Sequence, residues 1–537
     1  MALAPSKKLH VCVYVGGILT TCVLFIAFYS RSDLTTALPG TPVINKQTRH
    51  TPFEAYQAIQ QLRNLYRGNI SRPVRLEIPE NRLDWRPVYG LGSLMFVHAA
   101  LWKGDSVRIS VIKRPHARET NILCILWYTP SQESNFTIVK ASVVDLLFYG
   151  HKHACAYIKC PVRKKKGTKK NIAPLYVGLA LANYLTAKHR ILIPVENRNM
   201  DPKELSKQMA AAKVAERSVL IKVSANTSGK TSNKTSSTTP NKPRVVEFTV
   251  CMPAMFQYNN AAQLVEKLEM VRLLGAGRVV LYKTSVKPNV EAVLRLYTSE
   301  WAAGRETLEL VVHSWRLPPA ELHYRGQLAA VDDCLHRYGW LSRYMVFDDL
   351  DELIIPLRHA NWSQLIAERE RLHPGRAAFM FRCSVMNADH SSPADGFRQD
   401  AIRYGSSVLS LTLRDDYVFP PIKRSKLIIN PRKVDAMGVH NIDKVRGYME
   451  VIPLNQGMLY HYRWPVRLCE SEVKDNRVAS KFGKRLLVRL KSVWSRLEGV
   501  ALGWKKPMPK TNSTRPTCFI KARLEKKSKK QEQLEVE

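Results

Sequence analysis

From Val245 onward the chain alternates apolar, β-branched runs with amphipathic stretches, and this alternation restricts its fold more than any other feature. VVEFTVCMPAMF reads as a strand, and Ala262–Leu274 as a helix with Leu264, Leu268 and Val271 on one face. RVVLYKT is a second strand, Val290–Ala302 a second helix and LELVVHSW a third strand. Gly326–Tyr338 is a third helix, and Arg343–Phe347 a short apolar strand. Strands and helices in this order predict an α/β fold with a mostly parallel, Rossmann-like sheet covered by helices. Sheets of that kind bind ligands beyond the carboxyl ends of their strands.

The fourth strand ends in MVFDDLDELIIP. Asp348, Asp349, Asp351 and Glu352 crowd into five residues, so a loop that holds them together needs a countercharge. Carboxylates with little nitrogen or sulfur nearby suit Mg²⁺ or Mn²⁺. Asp349 and Asp351 flank Leu350 and in an open turn can reach one ion, which would bridge a diphosphate and neutralise charge on a leaving group. A merely solvated acidic turn is the plain alternative, and the apolar runs on both sides argue against it.

The charge of the whole chain points elsewhere at first. With 83 Lys+Arg against 45 Asp+Glu, a net +38, the first expectation is a nucleic-acid binder. The N-terminus answers it. Val11–Ser30 carries no charged side chain, and twenty helical residues span ~30 Å, the thickness of a bilayer core. Lys7 and Lys8 precede the run, so residues 1–10 are expected to stay cytoplasmic while everything after the anchor crosses the lipid bilayer. A signal peptide cleaved near Thr35 and Ala37 is the rival, but the apolar run exceeds the usual ~7–15 residues. Glycosylation sequons at Asn69, Asn135, Asn226, Asn233, Asn361 and Asn512 all fall beyond it. So do eight cysteines (Cys124, Cys155, Cys160, Cys251, Cys334, Cys383, Cys469, Cys518), expected as disulfides or buried thiols whose pairing spacing does not assign. No nucleic-acid partner is expected in such a compartment.

The remaining chain divides by composition. Residues 31–85 read as a stem with one helical stretch, Phe53–Tyr66. Residues 86–222 carry short Val-, Ile- and aromatic-rich runs that predict a β-rich, sandwich-like domain. Within it, 159–170 (KCPVRKKKGTKK) holds seven basic side chains, a polyanion site or a solvated loop. Residues 223–244 form a low-complexity Ser/Thr/Asn/Lys loop or linker. Its Ser228-Gly229-Lys230-Thr231 mimics a phosphate loop but lacks both the first glycine and a preceding strand. The catalytic domain is expected over 245–500, followed by a basic tail, 501–537.

Within Val250–Arg463, CMPAMFQYNN, EMVRLLGAGRVVLY, YRGQLAAVDDCLHRY, MVFDDLDELIIP, KLIINPRKVDAMGVHN and LYHYR occur in an order and spacing that resemble the family 92 glycosyltransferases. Val88–Pro161 also resembles the region that precedes catalysis in that family. The resemblance implies a GT-A type catalytic domain in a single-pass type II Golgi membrane enzyme. It further implies inverting transfer of galactose from UDP-galactose, in β-1,4 linkage, to a terminal galactose, N-acetylglucosamine or fucose of N-glycans. By analogy Asp351 binds the metal, Asp349 meets metal or ribose, and Glu352 completes the motif near the nucleotide sugar. Asp348 adds a carboxylate without a fixed place. A late metal ligand is expected at His461 or, second, His440, and an imidazole favours Mn²⁺ over Mg²⁺. Gln327 and Lys426 are expected at the nucleotide and its phosphates. Asp389 is the candidate general base, since an inverting transferase needs a carboxylate to take the acceptor proton. The NADH segment around it, and Lys283 and Thr284 in LYKTS, depart from the family pattern, which bears on donor and acceptor preference.

Other classes fit less well. A glycoside hydrolase needs two carboxylates flanking a bond at ~5–9.5 Å, and Asp349 and Asp351 are too close in sequence to do so unaided. A different UDP-sugar donor, or a non-catalytic glycan-binding protein on a degenerate scaffold, are the remaining alternatives. The intact Asp-Asp-Leu-Asp-Glu argues against degeneracy.

Overall fold

The structure, a computed structural model, describes residues 85–88, 91–115, 122–128, 136–162, 172–181, 192–198, 244–387, 393–394, 396–462 and 472–503. The proposed anchor at 11–30, the stem before Trp85, the low-complexity segment up to 243 and the basic tail from 504 onward lie outside these residues. Among the described residues, no helix is long and apolar enough to cross a membrane.

Among the described residues, the regular elements of the N-terminal part are strands: β1 (Arg86–Val88), β2 (Gly92–Lys103), β3 (Ser106–Lys113), β4 (Ile122–Trp127), β5 (Phe136–Lys140), β6 (Ser142–Asp145), β7 (Ala154–Pro161), β8 (Tyr176–Leu181) and β9 (Leu192–Asn197). Their order is β5-β4-β8-β9-β2-β3-β7-β6, with β1 on β2. Cys124 on β4 and Cys160 on β7 form a disulfide although these strands lie next to opposite edges of the sheet. The sheet therefore curls over on itself. Val107, Ile109, Val111, Ile122, Cys124 and Leu126 fill the space enclosed, as alternation along strands with one buried face requires.

The second part begins with β10 (Val246–Met255), α1 (Ala261–Leu274), β11 (Ala276–Lys283), α2 (Pro288–Ala302), β12 (Glu309–Ser314), α3 (Gln327–Tyr338) and β13 (Ser342–Phe347). Strands β10 to β13 are parallel to one another and stand in the order β12-β11-β10-β13, as right-handed crossovers through helices produce. There follow β14 (Glu352–Pro356), α4 (Trp362–Leu372), β15 (Ala378–Phe381), β16 (Cys383–Asn387), α5 (Arg398–Tyr404), α6 (Ser407–Ser410), β17 (Leu413–Asp415), β18 (Lys426–Ile429), β19 (Val434–Met437), β20 (Ile442–Val445), β21 (Met449–Val451), β22 (Gly457–His461), β23 (Glu472–Lys474) and α7 (Arg477–Trp494). The parallel sheet is extended beyond β13 by antiparallel β18, then β15 and β21, while β14, β22, β16, β17 and β23 make a separate sheet.

Both faces of the parallel strands are covered, which explains their continuous apolar runs. Val279, Leu281, Tyr344 and Val346 point to one core with α1, α2, α4 and α7. Their neighbours Val280, Tyr282, Met345 and Phe347 point to the other, where Leu328, Ala329 and Leu335 of α3 pack against Phe96, Ile112 and Tyr157 of the β-rich part. A second disulfide, Cys251–Cys334, ties β10 to α3. Cys155 and Cys383 are buried free thiols.

Helix α1 shows a departure from its sequence pattern. The apolar face with Leu264, Leu268 and Val271 is buried, but so are Glu266, Lys267 and Glu269. The side of the helix that reads as solvent-facing lies under α6 and α7, and each charge there has a partner. Glu269 accepts from Tyr297 and from Arg489 Nε at 2.7 Å. Glu266 accepts from the Ser406 hydroxyl and from the amides of Ser407 (3.0 Å) and Val408 (3.1 Å). Burial outweighs those three donors and pushes the Glu266 carboxyl up to about 7.

Two outcomes follow for stability. Between pH ~4.5 and 7 the folded chain keeps a proton on Glu266 that the unfolded chain has released, so this group makes stability fall as pH rises through that window. Chemical denaturation at pH 5 and pH 7 should show that slope, and Glu266→Gln should reduce it. Separately, the Cys124–Cys160 bond closes a loop with a sequence separation of 36. Replacing both cysteines by serine should cost about 3–4 kcal/mol of unfolding free energy.

Candidate active site

The strand order reverses between β10 and β13, so the loops leaving their carboxyl ends diverge and leave a crevice. The acidic segment emerges from β13 at that point. A cleft of about 570 Å³ opens there, lined from β10 and its loop by Met255, Phe256 and Tyr258, and from the acidic turn by Asp349, Leu350, Asp351 and Glu352. Gln327, Arg325, Arg424, His440 and His461 complete its wall. Its volume suits a small organic ligand.

The turn is built by its own atoms. The Glu352 amide donates to the Asp349 carbonyl at 3.2 Å, and the Asp349 amide donates to Glu352 Oε2 at 3.2 Å. The four carboxylates are then sorted by direction. Asp348 points away from the cleft into the protein, where its Oδ2 meets Lys267 Nζ at 2.6 Å; both side chains are essentially inaccessible (0% and 1%). Lys267 also donates to the Glu352 carbonyl. Glu352 is buried, 3.3 Å from Lys426 Nζ, and burial, against that ammonium's pull, raises its carboxyl above the usual range. Asp349 and Asp351 keep 28% and 32% of their side chains exposed to the cleft.

The histidine arrives by strand register. β14 pairs antiparallel with β22 so that Glu352 stands opposite His461, and the Tyr462 amide donates to the Asp351 carbonyl at 2.7 Å. His461 Nε2 lies 3.2 Å from Asp351 Oδ2. Its Nδ1 sits 3.5 Å from Glu352 Oε1 without making a hydrogen bond. Burial would raise the Asp351 carboxyl, but the bond and charge of His461 and the Lys426 ammonium hold it below the usual range. His461 is raised for the complementary reason: the carboxylates overcome a desolvation that would lower it. A slip of one residue in this pairing would turn His461 to the opposite face.

The other expected residues fall as follows. Gln327 opens α3 and donates from Nε2 to Asp349 Oδ1 at 3.2 Å. Lys426, first residue of β18, is buried and meets Asp349 Oδ2 at 3.0 Å, so it braces the turn from beneath instead of lining the cleft. His440 lines the cleft with Nδ1 3.3 Å from the Ser425 carbonyl; burial, then Lys426, lower its pKa to about 4. Lys283 pairs with Glu291 at 3.0 Å outside the cleft. Asn361 caps α4, accepting from the Gln364 amide at 3.0 Å. Asp389, Asn69, Asn135, Asn226, Asn233 and Asn512 lie outside the described residues.

Sequence reasoning named none of Lys267, Arg325, Arg424, Phe256 or Tyr258. Lys267 lies in the helix expected over Ala262–Leu274, and only the need for a countercharge to the acidic segment hinted at it. The arginines carry a signal that only backbone conformation reveals. Three non-glycine residues with positive φ line this cleft, Tyr324 (39°), Arg325 (55°) and Arg424 (55°), and two more, Gln257 (47°) and Ile422 (73°), lie within two residues of its wall in the chain. Each costs backbone energy that regular packing would avoid, and such residues concentrate where ligands bind. Arg325 stacks on Phe256 at 3.5 Å.

Divalent-metal chemistry can be tested against the donors present. Among the described residues no three His, Cys, Asp or Glu side chains converge as a full ligand set. Asp351 Oδ2 and His461 Nε2 do offer two adjacent donors facing the cleft, with Asp349 beside them. One carboxylate oxygen and one imidazole suit Mn²⁺ better than Mg²⁺, with the remaining positions open to substrate oxygens and water.

A parallel α/β sheet with an acidic turn at its switch point, and mixed strands beyond, is a GT-A-like arrangement. The chain belongs to glycosyltransferase family 92, whose model matches residues 246–517. It is 22% identical over 261 residues to the glycosyltransferase family 92 protein F59C6.8 of Caenorhabditis elegans, covering 48% of each chain. It is 22% identical over 239 residues to the β-1,4-galactosyltransferase galt-1 of the same organism, covering 42% of this chain and 50% of that one. Similarity to the galactan β-1,4-galactosyltransferase GALS2 of Arabidopsis thaliana is 29% over 125 residues, 23% of each chain. The chain thus spans about half the length, or less, of the curated relatives it matches.

The buried pair gives a direct test. Lys267→Ala should cost about 3–5 kcal/mol of stability by stranding the Asp348 charge. The double variant Lys267→Met, Asp348→Asn should recover most of that loss in denaturant titration.

Proposed function

We propose that the chain transfers galactose from UDP-galactose, with inversion and in β-1,4 linkage, to a terminal sugar of N-glycans. The observation that supports this reading is the convergence of Asp349, Asp351, Glu352, Gln327 and His461 on one cleft at the switch point of the sheet. The galactosyltransferase names of two relatives favour galactose as the donor sugar. On the same reading it is a type II Golgi membrane protein held by residues 11–30, with its catalytic part in the lumen.

In this proposal Asp351 and His461 would hold a Mn²⁺ ion, with Asp349 beside them, and the ion would supply positive charge to offset the charge of the leaving diphosphate. Gln327 and Lys426 fix Asp349: one donates to Oδ1 and the other to Oδ2, so its carboxylate plane is set before ligand arrives. Glu352 anchors the turn from inside. Tyr258 and Phe256 supply the apolar wall against which a base or sugar ring can lie. The acceptor hydroxyl approaches from the face opposite UDP, and Asp389 is the proposed base that takes its proton.

The test uses the full chain with UDP-galactose, UDP-N-acetylglucosamine and UDP-glucose, each with N-glycan acceptors and with or without Mn²⁺. Transfer from UDP-galactose, dependent on the ion, is expected. Asp351→Ala should lower kcat/KM at least ~10²-fold, as loss of an electrostatic contact to the transition state does. Absence of transfer from every donor would refute the enzyme reading, and full activity in Asp351→Ala would refute the metal assignment.

A further inference from the structure

A second cleft, of about 510 Å³, lies where the β-rich part meets the β19–β20 hairpin. Its wall carries Lys103, Arg108, Lys159, Lys444 and Arg446 against two carboxylates, Asp105 and Asp435. Those carboxylates are already engaged. Asp435 lies 3.3 Å from Arg446, and Asp105 lies 3.6 Å from Lys159. Arg108 is held by the buried Asp332, and its guanidinium carbon sits over the Tyr157 ring, 3.2 Å from the centroid. The ammonium groups of Lys103 and Lys444 have neither a hydrogen bond nor an ion pair among the described residues.

Cations gathered in a concave site repel one another, and low-dielectric walls focus their field. Lys103 registers the crowding: burial, together with Arg446, Arg108 and Arg432 and against Asp435, lowers its pKa. The anchored Arg108 is pre-oriented, since Asp332 and Tyr157 fix its plane, so little side-chain entropy remains to be lost on binding. A cluster of this sign is complementary to an anion. At about 510 Å³ the cavity has the size of a compact anionic group.

We infer that this cleft is a binding site for a sulfate- or phosphate-bearing saccharide, with Lys103 and Lys444 as its free cations and Arg108 and Arg446 as its positioned ones. The choice of a saccharide rests on the glycan-acceptor reading above; the anion site itself does not. The β19–β20 hairpin links the two clefts. Asp435, Lys444 and Arg446 at its base line the basic one, while Val439 and His440 at its tip line the acidic one. An acidic glycan seated at the base therefore lies on the element that borders the proposed transfer site.

Equilibrium binding to the full chain, without nucleotide sugar, tests this with four probes: a sulfated disaccharide, its unsulfated parent, inorganic sulfate and a short oligonucleotide of equal charge. The sulfated disaccharide should bind at least tenfold more tightly than the other three and weaken as salt rises. Lys103→Ala with Lys444→Ala should weaken it at least tenfold. Lys444→Glu, at an exposed position, should do likewise without a change in thermal midpoint, and serves if the double variant does not fold. Asp351→Asn should leave this binding unchanged even if it abolishes transfer. Equal binding by inorganic sulfate or the oligonucleotide, wild-type affinity in the lysine variants, or loss in Asp351→Asn would overturn the proposal.

Discussion

The acidic turn depends on one contact made out of its sight. Asp348 and Lys267 form an ion pair with no access to solvent, and the same ammonium reaches the Glu352 carbonyl three residues of turn away. One cation thus clamps both ends of the segment that carries Asp349 and Asp351. A buried pair of this kind adds little net stability compared with an apolar substitute, but removing one partner is costly. Its contribution is geometric: it fixes α1, the end of β13 and the start of β14 to a single point. Without it, four neighbouring carboxylates have no reason to share one turn.

Lys426 does the corresponding work on the cleft side. It lies between Asp349 and Glu352 and holds the first toward Gln327. The two lysines come from α1 and from β18, which are far apart in the chain but adjacent to β13 in space. The carboxylate cluster is therefore charge-balanced by a helix and by a strand of the sheet itself, while Asp349 and Asp351 keep part of their side chains exposed.

The parallel sheet was readable from the sequence because burial on both faces leaves strands as unbroken apolar runs and helices with a clear period. The acidic turn was readable because carboxylates so close together are unusual between apolar strands. The approach of His461 was legible as an expectation from its place after GMLY, although the register that puts it opposite Glu352 is set by pairing between segments some hundred residues apart. Lys267, Arg325 and Arg424 were not legible. A buried helical lysine looks like an exposed one until the helix that covers it is known, and positive φ at an arginine leaves no mark on composition. Lys426 was read as a ligand contact; its burial beneath the turn makes it a brace.

The Cys251–Cys334 bond joins the strand that forms one wall of the switch point to the helix that presents Gln327. It encloses α1, β11, α2 and β12, so those elements must be synthesised before the bond can close. Biogenesis of the cleft is thereby coupled to an oxidising environment. A chain produced in a reducing cytoplasm would hold β10 and α3 together by packing alone, so the choice of expression host is itself a variable in any study of its chemistry.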